Sequence, residues 1–175
     1  MPPRPGAALV TTAVAMTGLY TGFTYVGEFV TEVAGFPESL VGPLLFVYGG
    51  AGILGVVVLG HLLDRRPRGS LVLAVSVQTA AMLLLFQYAG NQALVITGLA
   101  LLGCSAAPIF TATQARILQV SPGRTEIGFA ANSAAFNVGV AAGAFVGGAA
   151  LSAFGVRGAF LVGAADPRHG CPPAR

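Results

Sequence analysis

The residues of this chain that could do chemistry fall into two sets. Inside long uncharged runs sit isolated polar side chains: Tyr20 and Tyr25, then Thr111, Thr113 and Gln114, then Asn132 and Asn137. Such groups either bond a neighbouring helix or line a path for a polar solute, and their spacing leaves both uses open. Between the runs, Gly60-His61-Leu62-Leu63-Asp64-Arg65-Arg66-Pro67-Arg68 gathers three of the nine arginines. Gly60 allows close helix contact, and Asp64 can cap a helix start or pair with a cation. Arg65, Arg66 and Arg68 suit an anionic lipid surface.

No catalytic set accompanies them. The six acidic residues form no pair, no nucleophile stands beside a histidine, and all nine basic residues are arginine, so no glycine loop leads to a lysine. Enzyme chemistry fails on these grounds, and cofactor motifs are absent. Cys104, Cys171, His61 and His169 are too scattered for a disulfide framework or a metal site. Cys104 reads as a small packing residue. The net charge of +3 comes from arginines standing singly or in one short loop, without the basic face that a nucleic acid needs.

The elements that must position the polar residues are apolar spans. Residues 5–27, 39–63, 69–115 and 127–156 carry no charge, and the third run is broken by the turn-like Tyr88-Ala89-Gly90-Asn91-Gln92. A helix needs roughly 20 apolar residues to cross ~30 Å of hydrocarbon, so these runs predict five crossings. The chain is 55% hydrophobic and 9% charged, whereas soluble domains are about 25% charged. A soluble core of this size buries one or two such runs, not five in series. Backbone amides in lipid must pair within a helix or around a closed barrel. Unbroken runs, rather than ~10-residue alternating ones, select helices. The fold class is all-α: a polytopic transmembrane helix bundle with five spanning helices and an incomplete sixth.

Arginine placement orients the bundle. Arg4, Arg65, Arg66, Arg68, Arg116 and Arg124 fall on one set of alternate sides and Arg157 on the other, which predicts a cytoplasmic amino terminus. The first run exceeds the ~7–15 residues of a signal-peptide core, so it is expected to stay as a span. After Arg157, residues 158–165 would cover only about 12 Å as a helix. They read as the incomplete sixth helix, with a short re-entrant segment as the rival. Residues 1–165 then form the transmembrane domain and 166–175 a disordered polar tail.

The segment from Gly60 to Arg68 resembles the signature loop of the major facilitator superfamily, through Gly60, Asp64, Arg65 and Arg68. That loop joins the second and third helices of each six-helix half; Pro67 stands where the family usually has glycine. Thr24-Tyr25-Val26, Val33-Ala34-Gly35-Phe36, Gln114-Ala115-Arg116 and Ala134-Ala135-Phe136-Asn137 look like the carboxyl-terminal half of bacterial sugar-efflux and drug-efflux members. The resemblance covers about residues 7–165. It implies helices seven to eleven of a twelve-helix transporter, with a remnant of the twelfth and the first six absent. It further implies a multi-pass protein of the bacterial plasma membrane that exports a small solute, such as a sugar or drug, against a proton gradient. Alternating access would need a missing or partner half, either a second transporter half or another copy of the chain. The alternative is a truncated membrane fragment that packs without transporting.

Within this frame, Tyr20, Tyr25, Thr111, Gln114, Asn132 and Asn137 are the candidate substrate-path residues. Gly139, Gly143 and Gly147 share one helix face and predict close helix packing. Gly18 and Gly22 make a shorter version. Glu28 is expected at the outer interface, which leaves no acidic residue inside a crossing, and Pro108 is expected to kink the fourth span.

Overall fold

The computed structural model describes residues 5–65, 67–120, 123 and 125–164; for residues 5, 59–65, 67, 68, 120 and 157 it describes the backbone alone. Five long helices dominate: α1 (Pro5–Phe23), α2 (Val41–Arg65), α3 (Pro67–Gln87), α4 (Gln92–Val120) and α5 (Thr125–Ala164). No strand occurs among the described residues. Five segments are long and apolar enough to cross a membrane: Gly6–Val33, Glu38–Val58, Gly69–Gln87, Gln92–Gln119 and Thr125–Val156. The all-α bundle of five spans is therefore the architecture of this chain. The tail, 166–175, lies outside the described residues.

Local chemistry sets the boundaries. The first crossing outlasts its uncharged run, continuing after a turn at Thr24–Tyr25 through Val26–Glu28 and a π-helical turn, Phe29–Val33. Charge does not stop it, because Glu28 and Glu32 are both exposed while Phe29 and Val30 on the other face are buried. Gly35, at φ 70°, ends it in the left-handed conformation that glycine adopts freely. The turn before α4 closes on Asn91, whose Oδ1 accepts from the amides of Ala93 (3.1 Å) and Leu94 (3.3 Å) as a helix cap. α4 continues through Pro108. Proline donates no hydrogen bond to the carbonyl four residues back, and that Cys104 carbonyl faces Gly55 of α2 so closely that a Cβ there would overlap it.

Packing pairs helices that are not neighbours in sequence. α1 packs most extensively on α5, and α2 on α4. Along the first seam a Cβ at Gly139 would lie 2.5 Å from the Ala13 carbonyl oxygen, and one at Gly143 2.6 Å from that of Thr17. Gly147 meets Thr21 in the same way. Residue numbers rise together on both helices, so α1 and α5 run parallel. The second seam is set by Gly103 against the Tyr48 carbonyl and Gly55 against Cys104.

α5 is interrupted at Gly155 (φ 74°, ψ −179°), a backbone conformation that essentially only glycine adopts. The chain then turns back. Phe160 lies beside Gly22 and Gly163 beside Gly18, so contacts descend α1 as the numbering rises, and the segment runs antiparallel to α1. Its buried Phe160 ring packs 4.4 Å, centroid to centroid, from Phe29. Within the described residues it follows a sixth helix for about two turns.

Candidate functional site

The two glycine-set seams hold two helix pairs, and a cavity of about 290 Å³ lies between them. Its walls are Met16, Leu19 and Tyr20 from α1, Tyr48 from α2, Ala106, Ala107 and Phe110 from α4, and Phe136 from α5. Phe136 lies eleven residues into α5, roughly 16 Å along the axis, near the middle of a ~30 Å hydrocarbon layer. Phe110 is 39% exposed, so the cavity opens on the bundle surface.

Aromatic rings form a continuous arc around it. Tyr48 stacks on Phe23 at 4.6 Å, and Phe23 meets Tyr20 edge-on at 5.9 Å. Tyr20 meets Phe136 at 6.0 Å and Phe136 meets Phe110 at 5.3 Å, both T-shaped. These are the separations at which ring quadrupoles attract. The arc joins α2, α1, α5 and α4 across the space between the two helix pairs.

The six sequence-derived path residues separate. Tyr20 lines the cavity. Asn132 is fully buried in a three-helix clasp: Thr12 Oγ1 donates to its Oδ1 (2.8 Å), and its Nδ2 donates to Gln114 Oε1 (2.7 Å). Thr12 lies early in α1 and Asn132 early in α5, so the clasp ties the ends where both helices begin to α4. Tyr25 donates its hydroxyl to the Ala144 carbonyl (3.0 Å) and covers Gly147 and Gly148. Thr111 donates to the Ala107 carbonyl (3.1 Å), and Asn137 Nδ2 to that of Ser133 (2.8 Å), both on exposed positions of their own helices.

Three of the four rings in the wall, Tyr48, Phe110 and Phe136, belong to residues that sequence reasoning did not single out for a solute path. Their spacing carries no mark. Phe46 (83% exposed) and Phe145 (80% exposed) stand in equally apolar surroundings and face outward. Thr12 was likewise unmarked, since a threonine in a span commonly bonds only its own helix.

No group of three potential metal ligands occurs among the described residues. The family model of the Major Facilitator Superfamily matches residues 8–165, nearly the whole chain. The chain belongs to that family. Major facilitator proteins are transporters, and with five apolar spans this one is a multi-pass membrane protein of that class. The match takes in the signature-like segment around Gly60, Asp64, Arg65 and Arg68, whose side chains lie outside the described residues.

Proposed function

We propose that this major facilitator chain forms one wall of an export path for a small solute, a sugar or a drug, in a bacterial plasma membrane. A second six-helix half would complete the path, and the two would expose the solute alternately to either side. The observation that carries this is the mid-depth cavity, drawn from four different spans and open on one side. A site open on one face suits closure by a second half. Contrary to the expectation of spans free of acidic residues, Glu28, Glu32, Glu38 and Glu126 fall within the apolar segments, but toward their ends, so proton coupling would draw on a carboxylate of that half.

Flux of radiolabelled solutes into proteoliposomes tests the reading, with the chain alone and with an added amino-terminal half of a related exporter. Flux that appears only with both halves supports it. No flux in either case would favour a chain that packs in the membrane without transporting, a reading to which the tight glycine seams also lend support. Orientation has its own test. An impermeant thiol reagent is expected to reach Arg66→Cys from the cytoplasm and Glu38→Cys from outside, on a Cys104→Ser/Cys171→Ser background.

A further inference from the structure

We infer that the cavity accepts a planar, uncharged aromatic solute and rejects sugars; this rests on the reading that the cavity is the solute site. Among the described residues its lining offers two phenol hydroxyls, from Tyr20 and Tyr48, as the only N–H or O–H side-chain groups. The other candidate polar side chains are absent from this lining, and each has a group bonded within the bundle. Thr111 bonds Ala107, Asn132 and Gln114 bond each other, Tyr25 bonds Ala144, and Asn137 bonds Ser133. A sugar entering this space would strip several hydroxyls of water, and each left unpaired would weaken binding by roughly ten-fold. No charged side chain among the described residues lines the cavity, so an ion at this depth would find no counter-charge among them.

The aromatic lining favours a flat aromatic molecule. The cavity shares Tyr48, Ala106 and Ala107 with a groove of about 380 Å³ lined by α2 and α4. Apart from the tyrosine hydroxyls, the side chains lining both spaces are apolar. The T-shaped Tyr20–Phe136 and Phe110–Phe136 contacts leave ring surface bordering the cavity. A flat aromatic solute would continue that arc with the same edge-to-face geometry.

Equilibrium dialysis of the full chain in lipid nanodiscs, against empty nanodiscs, tests this with 2-naphthol and glucose as probes. Saturable 2-naphthol binding and no glucose binding are expected. Phe136→Leu, which keeps apolar bulk, should weaken 2-naphthol by about five-fold, whereas Tyr48→Phe should stay within about two-fold. Phe145→Leu, on the outward face, should leave binding unchanged, and circular dichroism should confirm helix content in each variant. Saturable glucose binding without 2-naphthol binding would overturn the solute class while sparing the cavity as a transport site. Binding of neither probe would overturn both. A Tyr48→Phe loss larger than that of Phe136→Leu would also overturn the inference, because recognition would then run through the hydroxyl.

Discussion

The α1–α5 seam and the aromatic cavity occupy the same stretch of α1, yet they are built from opposite side chains. At the seam, Gly139, Gly143 and Gly147 bring α5 onto the carbonyls of Ala13, Thr17 and Thr21. On the cavity side, Tyr20 and Phe136 meet ring to ring at 6.0 Å. In lipid there is no hydrophobic drive between helices, so contact distance is decided by side-chain volume and by the few available hydrogen bonds. Small residues therefore make a rigid joint, while large rings make a joint that encloses space. One helix serves both because the two sets adjoin: the Cβ atoms of Met16 and Tyr20 border Gly139 and Gly143, and both residues also line the cavity.

The sharpest break in that comparison is Gly143→Leu. The new side chain would start 2.6 Å from the Thr17 carbonyl oxygen and 2.9 Å from Tyr20 Cβ, with a destabilisation of about 3 kcal/mol. Thermal unfolding in detergent should show it, beside a Gly42→Leu control where nothing lies within 4 Å. Unchanged melting of Gly143→Leu would mean that the seam does not hold the bundle.

Gly155→Ala comes next. It places a Cβ on a backbone at φ 74° and ψ −179°, at a cost of about 1–3 kcal/mol. The return segment should loosen first, read as faster hydrogen exchange over 158–164 than over α4. Equal exchange in variant and parent would show that the turn does not depend on glycine.

Asn132→Leu removes the centre of the clasp and strands Thr12 and Gln114, for about 1–2 kcal/mol. Adding Gln114→Leu should cost less than the sum of the two single changes, because the stranded acceptor goes with it. Strict additivity would mean that the two amides act independently. Tyr25→Phe should have the smallest effect. It loses one hydrogen bond, to Ala144, at about 0.6 kcal/mol, and should leave 2-naphthol binding intact because Tyr25 is not in the cavity wall.

Much of the fold was legible from the charge-free runs, because crossing a bilayer demands a length of apolar helix that little else in a sequence imitates. The turn at Ala89–Asn91 and the glycine face of α5 were legible too, since a cap and a four-residue spacing are local properties. The site was less so. Of the six polar candidates, only Tyr20 reaches the cavity, while Asn132, Gln114 and Tyr25 bond other helices. A polar side chain in lipid needs a partner whether or not a solute passes, so its presence does not distinguish the two uses.

The sequence by itself determined the solvent, the number of crossings and the small-residue faces, through run lengths and spacings that any lipid-embedded helix must obey. Only the tertiary structure decided that α1 pairs with α5 and α2 with α4, which aromatics converge, and which polar groups are consumed in clasps. The reason is the medium. Residues facing lipid and residues facing the bundle are both apolar, so Phe145 and Phe136 on the same helix look alike until the rotation of each helix about its axis is known.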